Sequence, residues 1–223
     1  MVRGANSADG LSRRTGGPPL SREAVLAAAL EIGDAEGLES VSMRTLAGRF
    51  VCTPRALYRY IGDKDAMLEA VVEQQVSGLP ALATGEPWQP AMRRFFVAFH
   101  ELLLAHPLVA QVMARRPIAG PETMRHAERA LSVLVAAGMT DELAVEAFVA
   151  MAYYTLGAST GGTGQVLHDE WKSRGDQISP GEFPTLARLG RHLAEGRGDE
   201  RFRRGLDALI ETFERRMADQ RRS

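Results

Sequence analysis

The stretch Val41 to Lys64, VSMRTLAGRFVCTPRALYRYIGDK, carries Arg44, Arg49, Arg55, Arg59 and Lys64 against a single acid, Asp63. Two tyrosines, Tyr58 and Tyr60, stand among these cations. Arg55 and Arg59 are four residues apart, so on a helix they share one face while Leu57 and Ile61 turn inward. Guanidinium forks on a short helix suit base edges in a DNA major groove, which is about 12 Å wide. Serine and tyrosine hydroxyls and the Lys64 ammonium suit phosphate oxygens, which set register without reading sequence. A solvated charged face on an ordinary helical domain has the same composition, so charge alone leaves both readings open.

Other reactive side chains do not assemble into a recognisable site. The five histidines, at 100, 106, 126, 168 and 192, include no i, i+4 pair and no His-Glu-x-x-His motif. Gly161-Gly162-Thr163-Gly164 is glycine-rich, but it follows no predicted strand and lacks the lysine of a phosphate cradle. No Gly-x-Ser-x-Gly elbow is present. The single cysteine, Cys52, has arginine neighbours in the sequence, yet its type and place favour a small buried hydrophobe over a redox switch. Neither enzyme activity, nor a metal, nor a cofactor is expected.

The elements that must position the basic segment are helical. Residues 1–20 show no hydrophobic period and read as a flexible basic arm with Arg3, Arg13 and Arg14. Ser21 caps a helix with Val25, Ala28, Ala29 and Ile32 inside, ending near Gly37. Ser42 caps a second, short helix, and Thr53-Pro54 opens a third over Arg55 to Tyr60. A fourth begins at Lys64 after Gly62-Asp63. Three short helices in about forty residues have the proportions of a helix-turn-helix unit. Further helix starts are predicted at Pro90, Pro107, Pro121 and Thr140. The segment from Asp141 to about Ala158 is apolar nearly all round and must be buried, within the chain or between chains. Gly161 to Gly181, with an isolated Trp171, reads as a mobile loop. A last helix from Asp199 to about Asp219 presents Phe202, Leu206, Leu209, Ile210, Phe213 and Met217 as one stripe. The expected fold is all-α, with an arm at 1–20, a DNA-binding unit at 21–67, a larger helical domain at 68–219 and a tail at 220–223.

The order of residues from Ser40 to Leu68, SVSMRTLAGRFVCTPRALYRYIGDKDAML, resembles the TetR family of transcriptional regulators. Ser42, Arg44, Leu46, Ala47, Pro54, Leu57, Tyr58, Tyr60 and Lys64 fall on the family pattern in one register. The resemblance implies that Arg44 reaches a base and Ser42 a phosphate. It implies that Thr53, Pro54, Arg55 and Arg59 face the groove, and that Tyr58, Tyr60 and Lys64 hold the backbone. The chain departs from the pattern at the turn, where family members usually have glycine and this chain has Val51. If that position needs a positive φ, valine is strained there.

The remainder is similar to the tetracycline-repressor type of regulatory domain, through WQPAMRRFFVAFHELLLAHP, ARRPIAGPE and the Leu134 to Asp141 connection. This implies a small-molecule effector and a homodimer joined by the apolar eighth helix and the last helix. Phe148, Leu206, Leu209, Ile210 and Phe213 are its expected interface residues. Tetracycline-sensing members hold a metal-bound drug through a histidine before the Arg-Pro corner. Here that stretch is Gln111-Val112-Met113-Ala114, so a lipophilic or aromatic effector fits better. Phe95, Phe99, His100, Leu103, Met113, Met124, Met151 and Tyr154 are the candidate pocket walls, because methionine and aromatic side chains adapt to apolar ligands. Plain core packing at helical spacing is the favoured account of any single one of them.

Of 223 residues, 27 are Lys or Arg and 28 Asp or Glu, which argues against a general polyanion binder. Apolar residues make up 45%, enough to exclude disorder over most of the length. No apolar run approaches the roughly 18 residues of a membrane span, and residues 1–20 lack the apolar core of a signal peptide. The expectation is a cytoplasmic, ligand-responsive repressor whose partners are a pseudo-palindromic DNA operator, a small effector and a second copy of itself, with no membrane. A helical small-molecule binder and an architectural DNA binder without operator preference are the alternatives.

Overall fold

A computed structural model of the chain describes residues 19–116, 119–160, 173, 178–194 and 198–222. Among these, every regular element is a helix. The first four are α1 (Arg22–Glu36), α2 (Met43–Arg49), α3 (Pro54–Ile61) and α4 (Lys64–Val76), with a 3₁₀ turn at Leu38–Ser40. The larger part holds α5 (Trp88–Ala105), α6 (Pro107–Arg115), α7 (Pro121–Ala136), α8 (Asp141–Ser159), α9 (Pro184–Ala194) and α10 (Gly198–Gln220).

The helix starts follow their capping chemistry. Ser21, Ser42, Asp63 and Thr140 each accept a first-turn N–H of the helix they precede, which satisfies a donor with no partner inside the helix. Pro54, Pro107 and Pro121 each open their helices. Pro90 does not: α5 begins two residues earlier, at Trp88, with Pro90 still in the first turn where its missing N–H costs nothing. Helix α9 was not anticipated, and Trp171 with most of the expected 161–181 loop lies outside the described residues.

The N-terminal unit closes on Val25, Ala29, Leu46, Leu57 and Val72, all fully buried. Its connections to the larger part include a shared helix and a helix cap. The expected boundary at residue 67 falls inside α4, so one continuous helix runs from the N-terminal unit into the larger part. Separately, Asp34 of α1 caps α6: its carboxylate accepts the Leu108 N–H at 3.0 Å and lies 2.8 Å from His106 Nδ1. Gly33 permits this approach, since a Cβ there would lie 2.4 Å from the Leu108 side chain.

In the larger part, α8 packs on α5, α7 and α10. Its inner side is Leu143, Ala144, Ala147, Met151 and Thr155, while Val145 and Tyr153 on the other side remain 50% and 73% exposed. This is how a helix apolar all round is accommodated: half of it closes the protomer core and half is left open.

Candidate DNA interface and effector cavity

Helices α2 and α3 expose the residues expected at DNA. Arg44, Thr53, Pro54, Arg55, Tyr58, Arg59 and Tyr60 are all solvent-exposed, while Leu57 and Ile61 anchor the inner face of α3. Ser42 is half-buried, its hydroxyl occupied by the Thr45 N–H at 3.0 Å, so its helix-capping role is already in place. Lys64 is also half-buried, at the first residue of α4. Ion pairing separates the cations into two sets. Arg49 is held by Glu31 of α1, whereas Arg44, Arg55 and Arg59 have no carboxylate partner among the described residues. Unpaired guanidinium groups on one exposed surface keep their donors for phosphate and base acceptors. Arg22 steadies the end of α3 by donating to the Tyr60 carbonyl at 3.1 Å.

The turn between α2 and α3 explains the departure at Val51. The Cys52 N–H bonds to the Ala47 carbonyl at 3.0 Å and the Val51 N–H to that of Gly48 at 3.3 Å. This pair of bonds is a Schellman motif, which places the first residue after the cap in the left-handed region. Val51 is that residue, with φ of 51°, and it is the one non-glycine residue with positive φ among those described. The turn keeps its form and valine carries the strain, a cost of roughly 1–2 kcal/mol for an L-residue. Cys52 is half-buried and packs against the core.

A cavity of about 330 Å³ lies between α4, α5, α7 and α8. Phe95, Phe96 and Phe99 form one wall, Val76, Leu79 and Met113 another, and Phe148, Ala152, Tyr153 and Leu156 of α8 a third. Thr123, His126 and Ala127 of α7 complete it. Phe95, Phe99 and Met113 were expected here. Of the other expected wall residues, Leu103 and Met151 are core packing, and Met124 is 56% exposed on the outside. Phe148, expected at a dimer interface, lines this cavity. The α7 residues were missed because a threonine and a histidine on an amphipathic helix carry no signal until α4 is placed beside them.

His100 and Tyr154 belong to a different assembly. The Ser159 hydroxyl spends its proton on the Thr155 carbonyl at 2.7 Å, so His100 Nδ1 donates to Ser159 Oγ, also at 2.7 Å. The His100 ring stacks on Phe202 at 3.8 Å, and Tyr154 stacks on the same ring at 5.4 Å. Tyr154 donates to the Phe202 carbonyl, joining α8 to α10. Burial holds the His100 pKa below its ordinary value of 6.5, outweighing the opposite pull of Asp199 and Glu101. As pH falls below about 6.5 the unfolded chain therefore takes up the proton first, and stability is lost. Thermal unfolding between pH 7.5 and 5.5 should show this slope, and His100→Asn should flatten it; an unchanged slope would assign the effect to other groups.

Two contacts connect the cavity wall to α4. Glu73 of α4 accepts the Glu122 and Thr123 backbone N–H groups, at 2.6 and 3.1 Å, and the Thr123 hydroxyl as well. It thereby caps the start of α7, and Gly120 leaves room for it, since a Cβ there would lie 2.3 Å from the Glu73 carboxyl carbon. One turn on, His126 Nε2–H donates to the carbonyl of Val76, the last residue of α4, at 2.9 Å. Thr123 and His126 thus face the cavity and hold α4 at once.

Residues 25–71 match the family described as bacterial regulatory proteins, tetR family, and residues 79–217 match the tetracyclin repressor-like C-terminal domain. The chain belongs to the TetR family of transcriptional regulators. This TetR-family chain is 29% identical, over 92% of its length and 81% of the relative's, to the HTH-type transcriptional repressor DrrR1 of Streptomyces coeruleorubidus. It is 30% identical to the class C tetracycline repressor protein of Escherichia coli, over 88% of this chain and 91% of that one. Among solved structures, the TetR family protein ActR of Streptomyces coelicolor in complex with (S)-DNPA aligns with a TM-score of 0.76 at 25% identity, covering 88% of this chain and 98% of that chain. The same protein has been solved with actinorhodin bound, aligning at a TM-score of 0.71 and 26% identity over 90% of this chain and 99% of that one.

The stripe expected at a dimer interface is largely buried within one protomer. Leu206, Ile210 and Phe213 are 0%, 2% and 5% exposed within a single protomer, packed in the core that α10 shares with α8 and α5. Leu209 is half-buried. Three ion pairs, Arg203–Glu101 at 3.1 Å, Arg93–Asp207 at 2.7 Å and Arg216–Glu146 at 2.6 Å, tie α10 to its own α5 and α8. An amphipathic stripe looks the same in sequence whether its partner is the same chain or another.

Proposed function

We propose that this TetR-family regulator is a repressor that binds a pseudo-palindromic operator as a homodimer and leaves it when a small apolar or aromatic effector enters the cavity. The observation that carries the reading is the double role of Thr123 and His126, which line the cavity and hold Glu73 and Val76 of α4. An effector pressing on α7 moves the far end of the helix whose first residue, Lys64, follows the recognition helix α3. In the dimer, two α3 helices enter successive major grooves roughly 34 Å apart, so a small tilt of each α4 spoils the spacing. Linkage then requires that operator binding weaken effector binding by the same factor. ActR has been solved with actinorhodin, and a TetR variant from Acinetobacter baumannii with minocycline, which supports an aromatic effector. The walls are mostly aromatic and aliphatic, which suits the same class.

The open half of α8 supplies the dimer contact in this reading. Val145 and Tyr153 lie on it, two turns apart, and both are accessible in the protomer. A Val145→Glu chain, which leaves the cavity-lining Tyr153 in place, should run as a folded monomer in sedimentation and lose the full operator while keeping its helical content. A dimer of unchanged affinity would place the interface elsewhere.

Selection from a random DNA library at about 0.15 M salt tests the central claim, since at that ionic strength counterion release alone gives only weak binding. An enriched inverted repeat supports it, and aromatic compounds can then be screened for release. No enrichment from a folded dimer would overturn it.

A further inference from the structure

Val51 is the residue whose presence the protein's own packing does not explain. It occupies the left-handed position of the α2–α3 turn, with φ of 51°, where glycine would sit without strain. Its side chain is 71% exposed, so the strain is not offset by burial. A β-branched side chain held at a backbone cost, and turned to solvent, does nothing for the isolated fold. Strain of this kind persists where it serves a site. Val51 lies three residues before Pro54, the start of the recognition helix, beside the exposed Thr53 and Arg55.

We infer that Val51 is a specificity-determining residue, whose isopropyl group packs against the 5-methyl of a thymine in each operator half-site. This rests on the operator-binding reading proposed above. In a helix-turn-helix protein the start of the recognition helix lies at the base edges, and the turn before it lies at the rim of the same groove. The thymine methyl is the apolar group that the bases present in the major groove, and small apolar side chains are its usual partners. Arg44, Arg55 and Arg59, exposed on α2 and α3, supply cationic donors. Their guanidinium groups do not recognise a methyl group, so Val51 adds an apolar contact beside those that the exposed Thr53 and Pro54 can make.

The test uses the full chain and its selected operator. Thymines are replaced by deoxyuridine one position at a time, which removes only the methyl, and binding is measured for the unaltered chain and for Val51→Gly. The unaltered chain should lose about three- to tenfold at one symmetry-related position, the scale of one or two buried methyl groups. V51G should bind the intact operator weaker by a similar factor and be indifferent to that replacement. Its melting temperature should be no lower than that of the unaltered chain, because strain relief offsets the added freedom of the unfolded state. V51G binding as tightly as the unaltered chain, or both responding equally to every replacement, would overturn the assignment. An unaltered chain that selects no operator would overturn the DNA reading and this inference with it.

Discussion

Replacing Arg55 with alanine should weaken operator binding by about 1–3 kcal/mol, roughly 5- to 150-fold, and relax discrimination at one base pair of each half-site. The expectation rests on three features of that side chain. Arg55 stands in the first turn of α3, it is exposed, and no carboxylate among the described residues competes for it. A planar fork in that position can meet the two acceptors of a guanine edge together, which a lysine cannot reproduce. Binding of Arg55→Ala to the selected operator and to its single-base variants decides the matter. Equal loss on every sequence, with the salt dependence reduced by about one ion, would make Arg55 a phosphate contact instead. Arg49→Ala is the natural control, because its guanidinium is already held by Glu31 and its loss should leave discrimination unchanged.

The second large effect concerns α10. Leu206→Ala should lower the free energy of unfolding by about 2–5 kcal/mol, because Leu206 is fully buried and its removal leaves a void that rigid neighbours cannot fill. Urea unfolding at several protomer concentrations separates this from an interface defect. A core residue lowers the midpoint by the same amount at each concentration, whereas an interface residue makes dissociation the step that responds to dilution. If Leu206→Ala altered only the dissociation, α10 would be an interface helix after all and its packing on α8 secondary.

The two predictions differ in where their information came from. Arg55 was legible along the chain because local chemistry marks it: Thr53-Pro54 opens a helix, Leu57 and Ile61 turn inward, and the arginines must then face out. Ser21, Ser42, Asp63, Pro107 and Pro121 were legible for the same reason, since a cap or a helix-opening proline acts on its own first turn and needs no distant partner. Val51 is an intermediate case. Its type showed a departure from the pattern, but its φ was decided only by the backbone bonds closing the turn.

The cavity and the burial of α10 were decided by packing. Side chains such as Phe148, Leu206 and Met151 have the same helical spacing, yet the first lines a cavity and the other two fill the core. Hydrophobic attraction is non-directional, so periodicity tells which face of a helix avoids water and not what covers it. The connection from cavity to α4 depends on Thr123 and His126 meeting Glu73 and Val76 across about fifty residues of chain, and only the tertiary arrangement brings those groups within hydrogen-bonding distance.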